Sequence, residues 1–330
     1  MTVTAFAAHP GLTPIDPTSY EPHALHTSER AFRESNCYID VWIEVLHALK
    51  LDPVACMAFV LSIDWEDDQW TFFKPPHEDL VALYGVDVQE LNVWRPLLKN
   101  AEQQLSSGKL VLSEVDAFYL PDTQGTDYRT QHTKTTIGIQ SIDVEGKVLD
   151  YFHNSSYHRL SGEDFTGVFR LDSAPGALPF FAEFVRLERV KRLPTPELVK
   201  LSVELLRKHL DRRPRTNPIA RWQPRFVSDI EWLKQEGLGM YHGYAFATVR
   251  QLGAAFEFGA TYLRWLGERG ETGLGEAAAD FDEIAATSKS LVLKMARAVN
   301  AKKDVDFSAM FQTMASRWAS GMERLVAKYG

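Results

Sequence analysis

The chain has 330 residues, room for one large domain or two ordinary ones, and its 45% hydrophobic and 12% aromatic content is that of a folded globular protein. A formal net charge of -8 argues against general nucleic-acid binding, and two cysteines give no disulfide framework. The longest uninterrupted apolar run, Val54 to Leu61, spans eight residues, well short of the roughly 20 that cross a bilayer. No Lys or Arg precedes Arg30, so no secretory leader is expected, and the expectation is a soluble, cytoplasmic protein.

Residues 1–30 are rich in Pro, Thr and His without periodicity and read as an arm. Tyr38, Val41, Trp42, Val45, Leu46 and Leu49 then recur three and four apart, one face of a helix that Ser35 or Asn36 can cap. Val54 to Ile63 is a buried segment whose helix or strand character is unresolved, and Gln69 to Lys74 reads as a short strand. A short helix ends at Gly85. Asp87 and Glu90 have capping-box spacing, which predicts a second helix kinked near Pro96 and running to Gly108. Lys109 to Leu120 alternates as a strand, Pro121 to Tyr128 is a loop, and Thr135–Ile142 and Lys147–Phe152 flank a hairpin turn. Phe180 to Val190 is one more strand. From Thr195 onward the spacing is helical throughout, in five segments from Glu197 to Lys328. The expected organisation is α+β: an arm (1–30), a sheet-bearing domain (31–192) and a helical domain (193–330).

Charge is uneven. Between Arg186 and Arg225 stand twelve Lys or Arg against four carboxylates. Such a field on an acidic protein suits an acidic partner, with Arg207, Lys208, Arg212, Arg213 and Arg215 as its docking residues, although a solvated basic helix face has the same pattern.

Cys37 falls at the first position of the predicted capped helix, and His132 opens the strand-rich stretch downstream. A helix start favours a thiolate through its unpaired N–H groups and dipole, and an imidazole supplies the base. Helix cysteine followed by sheet histidine is the layout of a papain-like thiol enzyme. Taken alone, each residue also has a plain structural reading, the Cys as a small buried hydrophobe and the His as a surface group. The group that would orient the imidazole is open: by hairpin register Asn154 comes nearer His132 than Asp150 does, and Asp116 on the preceding strand is a further choice. Cys56, inside an apolar run, reads as core. His23/His26 and His153/His158 have spacings a metal can use, but nothing completes a ligand set, and no metal is expected. Trp222, Tyr241, His242 and Tyr244 either line a pocket or, more ordinarily for helix aromatics, fill a core.

Glu114-Val115-Asp116-Ala117-Phe118-Tyr119-Leu120-Pro121, followed by His132 and by Val148-Leu149-Asp150, resembles the N-terminal domain of the butirosin biosynthesis protein H family. Residues 30 to 330 resemble more closely the bacterial domain-of-unknown-function family 1839, through Asn36-Cys37-Tyr38-Ile39-Asp40-Val41-Trp42, Asp68-Gln69-Trp70-Thr71-Phe72-Phe73-Lys74 and Tyr151-Phe152-His153-Asn154. The first resemblance implies a papain-like fold and a cysteine acyltransferase. In it an acyl group passes from a carrier-protein thioester through the enzyme cysteine to an amine, and Asp150 ranks first as the orienting group. It also implies an acidic acyl carrier protein as partner, with the substrate on its phosphopantetheine and no cofactor resident in the enzyme. The histidine of that family lies closer to the hairpin than His132, nearer the place of Thr135. A hydrolase using the same residues, thioesterase or peptidase, and a non-catalytic carrier-binding protein are the alternatives.

Overall fold

The computed structural model describes residues 15–172 and 180–330; residues 1–14 of the expected arm lie outside them. Two units divide the chain. One takes the chain up to Thr27, Asn36–Pro53 and Leu80–Arg192, and the other takes Ser28–Ser35, Val54–Asp79 and Leu193–Gly330. Residues 28–35 and 54–79 go with the unit that holds the helical run from Leu193 onward.

The first unit opens on α1 (Cys37–Ala48). Asn36 caps it, its Oδ1 accepting from the N–H groups of Tyr38 and Ile39 at 3.2 and 3.1 Å. After α2 (His77–Tyr84), which the division crosses, come β1 (Asp87–Glu90), α3 (Leu97–Ser106), β2 (Leu110–Asp116), β3 (Lys134–Asp143), β4 (Val148–His153), β5 (Ser156–Ser161), α4 (Glu163–Val168) and β6 (Ala182–Arg186). Among the described residues the strands form a six-stranded sheet in the order β1-β6-β2-β3-β4-β5, every neighbouring pair antiparallel.

Here the reading of Asp87 and Glu90 as a helix start is corrected. They are the ends of β1, paired with Arg186 and Glu183, and an Asp87–Arg186 ion pair of 2.8 Å fixes the register. The helix begins instead at Leu97, directly after Pro96. Gln69 to Lys74 likewise forms only an isolated bridge, Trp65 to Trp70, and Val54 to Ile63 is a 3-10 helix, Pro53–Ser62.

The two faces of the sheet differ. Val111, Val115, Ile137, Ile139, Leu149 and Tyr151 point to the face covered by α3 and α4, where they pack with Leu98, Ala101, Phe165 and Val168. Residues of opposite parity, Thr136, Gly138 and Phe152, lie under α1. Gly138 sets how closely α1 approaches: a Cβ there would stand 3.2 Å from Val41 Cγ1 and 3.4 Å from Phe152 Cβ. A bulge between Ile139 and Ser141 then shifts the β3–β4 register.

The second unit is helical: α5 (Thr195–Asp211), α6 (Pro218–Glu236), α7 (Leu238–Ala245), α8 (Gln251–Glu268), α9 (Gly275–Ala301) and α10 (Ser308–Tyr329). Between α7 and α8 runs a π-helical turn, Phe246–Arg250. Trp222 is core: its ring centroid lies 5.7 Å from those of Trp65 and Trp70 and 5.0 Å from that of Phe311. Cys56 is fully buried. No helix among the described residues is long and apolar enough to cross a membrane.

Candidate functional site

Cys37 is the first residue of α1 and only partly buried, because it sits at the rim of the apolar stripe that Val41 and Val45 continue. Its Sγ lies 3.7 Å from the Thr136 hydroxyl on β3. Next along the chain, the buried Tyr38 donates its hydroxyl to Glu183 Oε2 at 2.7 Å. Burial, with the Glu183 carboxylate beside it, raises the Tyr38 phenol well above its ordinary value, so it remains a donor.

From Thr136 a file of ionisable side chains runs along this sheet face. Glu114 is the direct cross-strand partner of Thr136, and opposed side chains have Cβ atoms about 5 Å apart. Glu114 pairs with Lys134 at 3.1 Å, and Lys134 stands opposite Asp116. Asp116 holds His132 Nδ1 at 2.6 Å, and the imidazole stacks on Phe118 with ring centroids 4.5 Å apart. The His132 side chain is 68% exposed. So His132 is oriented by Asp116, and its hydrogen bond goes there rather than to Cys37. It is four residues from Thr136, about 13 Å along an extended chain.

The other expected partners stand elsewhere. Asp150 lies opposite Ser141, nine residues along β3 from His132, and receives both Nε and Nη2 of Arg159 at 2.6 and 2.9 Å. Asn154 is at the β4–β5 turn in the left-handed region, φ 47°. Asp116 is the carboxylate that meets the imidazole.

Reasoning from sequence missed two buried relays. On the opposite sheet face, Thr135 Oγ1 is 2.8 Å from His153 Nε2, and His153 Nδ1 is 2.5 Å from Asp122 Oδ2. The Tyr151 hydroxyl also donates to Asp122, and His158 Nε2 is 3.9 Å away. Burial works against the Asp122 charge, but His153, His158 and the tyrosine outweigh it and hold that carboxyl down at about 2. In the helical unit, His209 Nε2 is 2.6 Å from Asp79 Oδ2, and its Nδ1 is 3.4 Å from Ser62 Oγ. Ser62 donates to the Phe59 carbonyl at 2.8 Å, and Lys208 also binds Asp79. The signal for the first relay was the His153/His158 spacing, and the Asp122 carboxylate joins the two. Among the described residues no group of three or more His, Cys, Asp or Glu is arranged to hold a metal ion.

The N-terminal arm is fastened by a third buried cluster. His26 Nδ1 binds Glu44, with Asp40 3.5 Å from Nε2, and the Tyr20 hydroxyl reaches the same Glu44. Burial disfavours the His26 cation, yet hydrogen bonds to Asp40 and Glu44 prevail and raise it to about 9. Charge in the basic stretch is partly spent internally: Lys208 pairs with Glu78 and Asp79, Arg221 with Asp64, Arg225 with Asp229, and Arg213 donates to the Leu210 carbonyl. Arg207, Arg212 and Arg215 are exposed, with Arg207 over the Tyr329 ring.

Compared with known families, residues 21–187 match the DUF1839 N-terminal domain and residues 195–327 the DUF1839 C-terminal domain. No curated protein matches the chain.

Proposed function

We propose that this chain, which belongs to the DUF1839 family, is a cysteine-dependent acyltransferase with Cys37 as nucleophile. One observation carries the reading: a partly exposed thiol at the first position of a capped helix, beside the Thr136 hydroxyl of β3. The sulfur attacks a thioester carbonyl, its C–S bond forms as the donor's C–S bond breaks, and the donor thiol leaves with the proton that the Cys37 thiol gives up. An amine then attacks the enzyme thioester, the amide forms, and Cys37 departs as thiolate. The N–H groups of Tyr38 and Ile39 are engaged by Asn36, so the main-chain N–H of Cys37 itself is the helix-start donor for the oxyanion.

The donor fits an acyl group on a carrier protein, docked through Arg207, Arg212 and Arg215. Reversing these three charges is expected to raise KM for an acyl-carrier protein and leave a small pantetheine thioester unaffected. The reading is tested by incubating the protein with an acyl-pantetheine thioester and an amine and measuring amide. Wild type forms it, and Cys37→Ala loses at least about a hundredfold in rate, by analogy with loss of other covalent nucleophiles. Amide formation equal in the two proteins defeats it.

A second reading has its own support. Thr136, not an imidazole, neighbours the sulfur, which fits a non-catalytic carrier-binding protein. It predicts carrier binding with no acyl transfer and no effect of Cys37→Ala.

A further inference from the structure

Residues 28–35 are strapped to the helical unit through their main chain. Glu257 of α8 accepts the N–H groups of Ala31 and Phe32 at 2.9 and 3.0 Å, Lys289 of α9 donates to the Ala31 carbonyl at 2.9 Å, and Arg250 donates to the Glu34 carbonyl at 3.2 Å. Phe32 is buried against Gly253, where a Cβ would stand 2.4 Å from its ring. Beside the strap lies a cleft of about 550 Å³, lined by Arg30, Arg33, Glu34, Arg250 and Lys289 among others.

We propose that this cleft binds the phosphoryl group of a small molecule. Arg30 is neutralised by Glu257 at 3.4 Å. Arg250 and Lys289 are not: among the described residues their hydrogen bonds go to carbonyls, and each lies over an aromatic ring, Arg250 over Phe246 at 5.5 Å and Lys289 over Phe32 at 5.4 Å. Carbonyls and ring faces fix a cation in place without cancelling its charge. Arg33 adds an exposed guanidinium at the rim. Three cations thus approach one volume from three segments: the strap, the π-helical turn that ends at Arg250, and α9. A phosphoryl group offers three oxygens to donors arriving from different directions, whereas a carboxylate offers two in one plane. A π-turn inside a helix recurs at functional sites, and here it ends on one of the three cations.

The inference is independent of the thiol reading. Its test is calorimetric titration of the full chain with inorganic phosphate, with pyrophosphate, and with coenzyme A as a source carrying the same group on a pantetheine arm. Saturable binding is expected, weakened about tenfold by Arg250→Gln or Lys289→Gln through loss of one charge-assisted contact, and unchanged by Cys37→Ala. Arg33→Ala removes an exposed side chain without disturbing packing, so it decides the matter if the other variants misfold: weaker binding supports the site, equal affinity overturns it. No saturable binding of any of the three probes, or affinities indifferent to all three substitutions, also overturns it.

Discussion

Two histidines of the sheet-bearing unit are each held by an aspartate, and they are built to opposite ends. His132–Asp116 lies in the open, its ring 68% exposed and stacked on Phe118. His153–Asp122 is closed: both side chains are at least nine-tenths buried, and Thr135 and Tyr151 take up the remaining valences. A fully satisfied buried network rigidifies, while an exposed pair adds little to stability and keeps a titratable group within reach of a ligand. The same two residue types therefore stand in one open and one closed setting, and substitutions can pull the two apart.

The largest effect is expected at Asp122. Asp122→Ala leaves His153 Nδ1 and the Tyr151 hydroxyl buried without their acceptor, a cost of about 3–5 kcal/mol in denaturant unfolding. Because the carboxyl is held at about 2 against an ordinary 3.8, its contribution is complete above pH 3.8 and fades as pH falls through 2. The gap between wild type and variant should narrow in that window. His26→Ala comes next, on the order of 3 kcal/mol. His26 is raised to about 9 from 6.5, so its stabilisation is whole below pH 6.5 and lost as pH rises through 9, and here the gap closes on the alkaline side. Gly138→Ala presses a methyl onto Val41 and Phe152 and should cost about 1–3 kcal/mol by overpacking, read as a lower Tm. His132→Ala, which breaks an exposed pair, should cost under about 1 kcal/mol. Equal stability losses for Asp122→Ala and His132→Ala would erase the contrast between the two pairs.

What the sequence makes legible follows from the range of the forces involved. The Asn36 cap, the start of α1 at Cys37, the β3–β4 hairpin and the helical run after residue 193 rest on local signals, and they stand where expected. Asp87–Glu90 was read as a helix start because its capping-box spacing is local, whereas its true partner, Ala182–Arg186, lies some ninety residues on. Short β5, beginning two residues after the left-handed Asn154, carries no strong alternation of its own. For the candidate site, the place of Cys37 at the start of a capped helix was legible. The partner of His132 was not, since hairpin register governs Asp150 and Asn154 but the β2–β3 pairing brings Asp116 to the ring. The His153/His158 spacing marks two members of the buried relay, but its carboxylate, Asp122, comes from a segment that no spacing ties to them.

The most direct test of Cys37 as a covalent nucleophile is intact-mass measurement after mixing the protein with an acyl-pantetheine thioester in the absence of amine. Wild type should gain one acyl mass, mapped to the peptide containing Cys37 and not to buried Cys56, and Cys37→Ala should gain none. An unmodified wild type, or an adduct that persists in Cys37→Ala, contradicts it.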